Sequence, residues 1–190
     1  MFSWTVRFVS VCAGLLGAAV SLHAQEGTDW TRWSVSPGAG ILIMGGGQPV
    51  DGGAGASLSV GYDMSEFWTL EASGMWAPYV KGKDSDNPDI YGASAGVLYH
   101  LNSYSRFDPY LAFGAGYYGA SDRVFRKGNA RGMAGPHAGF GTMYHFTESI
   151  ALRADARAFM SVDTGREMAY LASVGLAFRW PSRAIELPKD

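Results

Sequence analysis

Thiols are almost missing from this chain of 190 residues: its single cysteine is Cys12. That residue lies in MFSWTVRFVSVCAGLLGAAVSLHAQEG, which has an early positive charge at Arg7, an apolar run from Phe8 to Val20, and small Ala24 before polar Gln25. This is the plan of a secretory leader, expected to span residues 1–24 and to be removed after Ala24. The apolar run is shorter than the roughly 18 residues of a spanning helix, so a retained anchor is the weaker reading. A mature chain without thiols would have no disulfide, no thiolate zinc site and no cysteine nucleophile. Lipidation at VSVC is not expected, because bulky Val11 precedes the cysteine and most of the apolar run follows it.

Charge is scarce as well. Only 17% of residues are Asp, Glu, Lys or Arg and the formal net charge is −2, so no basic surface points to nucleic acid. The composition is nevertheless too apolar for disorder, and 26 glycines argue against long helices. No stretch after residue 30 has a convincing helical period. What the chain does have is 10 Tyr, 10 Phe and 6 Trp, set in segments where apolar residues recur at every second position.

Eight such segments are expected to be strands: Arg32 to Ile43, Gly53 to Tyr62, Glu66 to Ala77, Ile90 to Leu101, Tyr110 to Gly119, Gly132 to Phe146, Ser149 to Met160, and Met168 to Trp180. One parity carries no charge: it includes Trp33, Val35 and Ile41, then Leu70 and Trp76, then Val97 and Tyr99, and finally Leu176, Phe178 and Trp180. The other parity is small and weakly polar, dominated by Gly, Ser and Ala, with few charges. In SIALRADARAFM those charges are Arg153, Asp155 and Arg157.

Alternation alone does not say which face points outward. A soluble eight-stranded barrel would turn its polar face to water, and such a surface should be roughly a quarter to a third charged. This one is mostly Gly, Ser and Ala, which suits the inside of a narrow barrel. The aromatics give an independent test, since membrane barrels place girdles of Trp and Tyr at the two interfaces. In an up-and-down meander Trp33, Tyr62, Trp68, Tyr99, Tyr144 and Trp180 fall near one end, and Trp76, Tyr91 and Tyr117 near the other. The expected fold is therefore all-β: an eight-stranded antiparallel up-and-down transmembrane β-barrel over residues 31–180, after a short segment 25–30 and before a tail 181–190. The connections agree, with candidate outer loops at 44–52, 78–89, 120–131 and 161–167 and shorter turns at DMSE, NSYSRFDP and TES.

From Trp30 to Trp180 the chain resembles the small outer-membrane β-barrel family that includes OmpA-type and OmpX-type proteins. The most specific piece is MAYLASVGLAFRW, similar to the aromatic-ended closing strand of that family, although PSRAIELPKD follows Trp180 here. The resemblance implies a bacterial outer-membrane location, contact with membrane lipids and lipopolysaccharide, insertion by the barrel-assembly machinery, a monomer, and no cofactor. No room is expected for a peptidoglycan-binding module after the barrel.

Candidate sites follow from this topology. Strands three and seven should face each other across the lumen, so Glu71 is expected to pair with Arg153 or Arg157, Asp155 to take the other arginine, and Arg179 to lie near the periplasmic mouth. His100, His137 and His145 are expected inside as polar packing. Lipid A deacylases on this fold use a lipid-facing His, Ser and Glu; the nearest match, His145, Thr147 and Glu148, has the wrong face and residue. Asp84, Asp86, Asn87 and Asp89 could offer oxygens to calcium, but Pro88 interrupts them and no Gly holds the turn position of an EF-hand loop. Arg123, Arg126, Lys127 and Arg131 could meet lipopolysaccharide phosphates. The expected role is non-enzymatic: structural, envelope-stabilising or surface-interacting. A lipid-modifying enzyme and a narrow solute channel are the alternatives.

Overall fold

Strict alternation lets a strand bury one face and expose the other, and pairing on both edges satisfies its backbone groups. The computed structural model describes residues 32–45, 52–78, 89–103, 105–120, 133–161 and 168–180. Its strands are β1 (Arg32–Met44), β2 (Gly52–Asp63), β3 (Trp68–Ala77), β4 (Ile90–His100), β5 (Phe107–Ala120), β6 (Met133–His145), β7 (Ile150–Met160) and β8 (Met168–Trp180). Each pairs antiparallel with its neighbours in sequence, and β1 pairs with β8 to close the barrel. Strands of 10 to 14 residues meet the roughly 9–11 residues of a tilted transmembrane strand.

The leader, segment 25–30, the tail 181–190, Asp84, Asp86, Asn87, Arg123, Arg126, Lys127, Arg131 and most of the four expected outer loops lie outside the described residues. The short turns are described, and two are built alike. In 64–67 the Ser65 hydroxyl accepts from the amides of Phe67 and Trp68; in 146–149 the Thr147 hydroxyl accepts from those of Ser149 and Ile150. Each turn region is also tied to the strand beyond its own hairpin: His100 N–H donates to Phe67 O, His145 N–H to Arg106 O, and Arg179 N–H to Ser149 O.

Two expectations need correction. Strand β5 starts at Phe107, three residues before Tyr110, so FDP is strand rather than turn and Asp108 is an inward, fully buried residue. The register explains this, because Phe107, Asp108 and Pro109 continue the ladder opposite Tyr144, Met143 and Thr142. Nor is the lumen merely small and weakly polar. Leu42, Met75, Ile90, Tyr118, Phe159 and Leu171 pack inside toward the long-loop end, and Leu98, Tyr110, Ala112 and Met143 toward the short-turn end. Glycines alone would leave voids along the axis; these larger side chains fill it.

The outward parity is exposed and apolar, with Ile41, Leu58, Phe113, Phe140, Leu152, Val174 and Leu176 on the surface. Pro37 lies in β1 where the ladder to β8 skips from Val35–Phe178 to Gly38–Gly175; proline has no N–H to donate. Closure by the pairing of β1 with β8 predicts that the folded barrel survives in unheated detergent. An unboiled sample should migrate differently from a boiled one on a denaturing gel, and identical migration would contradict a closed barrel.

Candidate functional site

The inward face of β7 presents Arg153, Asp155 and Arg157 at successive inward positions, so two guanidinium groups flank one carboxylate. Four strands away around an eight-strand ring, β3 stands on the opposite wall and brings Glu71 to meet them. Arg153 Nη1 donates to Glu71 Oε2 at 2.5 Å and Arg157 Nη2 to Glu71 Oε1 at 2.6 Å. On the other side Arg153 Nη2 reaches Asp155 Oδ2 at 2.8 Å and Arg157 Nε reaches Asp155 Oδ1 at 2.7 Å. The result is a closed ring of two cations and two anions, not two separate pairs. All four side chains are 7% exposed or less.

Tyr110 completes the ring. Its hydroxyl donates to Asp155 Oδ2 at 2.7 Å and accepts from Arg153 Nε at 3.0 Å, and the Arg153 guanidinium stands 5.4 Å from the Tyr110 ring centroid. Room for that ring comes from Gly141, opposite Asp155 in the β6–β7 register, where a Cβ would run into Tyr110. A buried charge is tolerated only when paired and hydrogen-bonded, and every member here has at least two partners.

Arg179 lies near the short-turn mouth, where it was expected, but pairs with none of the four ring residues. Its register partner in β1 is Ser34, close to the short-turn end, whereas Arg153 is level with Gly175, four residues along β8. Arg179 Nη2 instead meets the Met143 sulfur at 3.1 Å. It lines a second polar set whose members come from successive strands: Asp63 from β2, Thr69 from β3, His100 from β4, Asp108 from β5 and His145 from β6. Thr69 Oγ1 donates to Asp63 Oδ1 at 2.6 Å and lies 2.9 Å from His100 Nε2; His100 Nδ1 lies 2.7 Å from Asp108 Oδ2, and His145 Nε2 stands 3.9 Å from the same oxygen. A cavity of about 30 Å³ adjoins it, lined also by Arg32, Ser65, Glu66 and Ser103. His137 packs its ring 4.8 Å from Phe159.

Hydroxyl, imidazole and carboxylate in series is the order of a nucleophilic triad. Here, however, Thr69 gives its proton to Asp63, and the cavity takes one or two waters and no acyl group. His145, Thr147 and Glu148 form no site either, since Thr147 caps its turn and His145 faces Asp108 inside. No group of three or more His, Cys, Asp or Glu among the described residues could hold a metal.

Outside, Trp33, Trp68, Tyr144 and Trp180 are exposed near the short-turn end, and Trp76 and Tyr91 near the other. Tyr99 and Tyr117 are half-buried, the former with its ring 4.8 Å from Trp68. Tyr62 differs from the exposed girdle position expected for it: it is 8% exposed, with the Trp33 ring tilted against it at 4.8 Å. An apolar, aromatic-ringed exterior around a side-chain-filled lumen defines a transmembrane β-barrel.

Sequence comparison gives the family directly. The pattern of the outer membrane protein beta-barrel domain matches residues 11–178, and the chain belongs to that family. Among solved structures it is similar to Ail, the attachment invasion locus protein of Yersinia pestis: 18% identity, TM-score 0.56, covering 80% of this chain and 99% of that one. The N-terminal barrel of Pseudomonas aeruginosa OprF matches at 18% identity and TM-score 0.57, covering 77% and 97%. Neisserial surface protein A matches at 17% and 0.56, covering 77% and 96%. No curated protein matches the chain in sequence.

Removing one member of the ring leaves its partners charged and uncompensated. Glu71→Ala should lower unfolding stability in detergent by about 3–5 kcal/mol, read by thermal or denaturant unfolding. Arg179→Met, outside the ring, should cost far less. Equal losses in the two variants would refute the assignment.

Proposed function

We propose that this protein is a non-enzymatic barrel of the bacterial outer membrane with a closed lumen, serving a structural, envelope-stabilising or surface-interaction role. In this reading the leader 1–24 is removed on export, and the chain is inserted by the barrel-assembly machinery to stand as a monomer among membrane lipids and lipopolysaccharide. The observation that carries it is the Glu71–Arg153–Asp155–Arg157 ring across the bore, joined by Tyr110. Apolar layers support it from both sides: Met75, Tyr118 and Phe159 toward the long loops, Leu98 and Met143 toward the short turns. An eight-strand bore is just wide enough for side chains to fill. A solute would have to part the paired charges and displace these layers.

Against a lipid-modifying role stands the lack of an assembled nucleophile, base and substrate space among the described residues. Purified protein in planar bilayers should show no stepwise conductance, and lipid A from cells with and without the gene should have the same mass. Steady channel steps would favour the pore, and a lost or gained acyl chain the enzyme.

A further inference from the structure

The chain Asp63–Thr69–His100–Asp108 has three links, and each link needs one proton between two heavy atoms. The Thr69 hydroxyl supplies one and a neutral imidazole supplies one, while ionised carboxylates supply none. One proton is therefore missing from the neutral count. With Thr69 donating to Asp63, its oxygen can only accept from His100 Nε2, and Asp108 can only accept from Nδ1. Both ring nitrogens of His100 must then carry hydrogen.

The charges around the cavity agree independently. Among the described residues, Asp63, Glu66 and Asp108 face it against Arg32 and Arg179, which leaves this set one positive charge short of neutrality. An imidazolium at His100 cancels that difference. The other groups packed near the ring are Thr69 from β3, Tyr110 with its ring 5.7 Å away in β5, and His145 in β6, whose Nε2 stands 3.9 Å from the same Asp108 oxygen.

We infer that the short-turn end of the barrel is a proton-binding site, in which one excess proton is held as the imidazolium of His100 between Thr69 and Asp108. The proton turns separate side chains into one hydrogen-bonded belt from β2 through β5, with His145 of β6 next to its carboxylate end. The backbone bond from His100 N–H to Phe67 O ties the same belt to the first short turn. Loss of the proton leaves one link unmade in a buried set, where an unsatisfied polar group is costly. The belt is thus a clasp that closes with a proton taken from the aqueous side of the cavity.

Nitrogen-15 NMR of histidine-labelled, full-length protein in micelles at neutral pH tests this directly. His100 is expected to give two protonated ring nitrogens. In Asp63→Asn the amide can donate to Thr69, which then donates to Nε2, so His100 should become neutral with hydrogen on Nδ1 alone. Asp63→Ala removes the same charge and frees the Thr69 hydroxyl to donate to Nε2, so it should also yield a neutral ring, which keeps the test open if the first variant does not fold. A neutral His100 in the unmodified protein overturns the inference, as does an imidazolium that persists in a folded variant.

Discussion

Hydrocarbon offers the peptide group no hydrogen-bond partner, so a strand that crosses a membrane must find both neighbours within the protein. That constraint makes β1 bond to β8 as well as to β2, and the closed ladder that results sets the bore. With eight strands the bore is just wide enough for side chains to fill. The alternation of side chains does the rest, sending Leu152, Val174 and Leu176 outward and Arg153, Asp155 and Gly175 inward.

Given a narrow lumen, charges on its wall have few places to go. Arg153 and Arg157 stand either side of Asp155 on one strand, and their forks still have donors left over. Glu71 from the far wall takes those donors, and Tyr110 reaches in over Gly141 to close the set. Such a ring need not be more stable than an apolar plug of equal volume, because desolvating four charges offsets much of their attraction. What it adds is direction: each guanidinium fork donates to acceptors in its plane, so β3 and β7 are held at one relative height.

The parts of this arrangement that follow a local rule were legible in the sequence. Alternation alone placed the strands and separated the two faces, and counting inward positions placed Glu71 opposite β7. Parity also put His100, His137 and His145 inside. The second polar set was not legible, because Asp108 sits in NSYSRFDP, whose Asn, Ser and Pro read as a turn. Only the pairing of Phe107 with Tyr144 makes it strand. Arg179 shared the inward parity of the ring residues and was expected near the mouth, where the register also puts it. Phe159 was visible in SIALRADARAFM at the same inward parity as Arg157; its size was the missed signal that the lumen has an apolar floor above its charges.

The two polar sets obey one rule under different solvents. In mid-lumen, between apolar layers, the ring of Glu71, Arg153, Asp155 and Arg157 closes on itself. Near the short turns Ser103 Oγ, Asp108 Oδ1, His145 Nε2 and Arg179 Nε lack protein partners among the described residues, and a water-sized cavity lies beside three of these residues. Buried polar atoms of that kind are satisfied by ordered water. The charges at mid-lumen are therefore satisfied by one another, and the polar atoms at the base leave room for water. Exchange of protons with the aqueous side belongs to the base, where His100 joins two carboxylates through one hydroxyl.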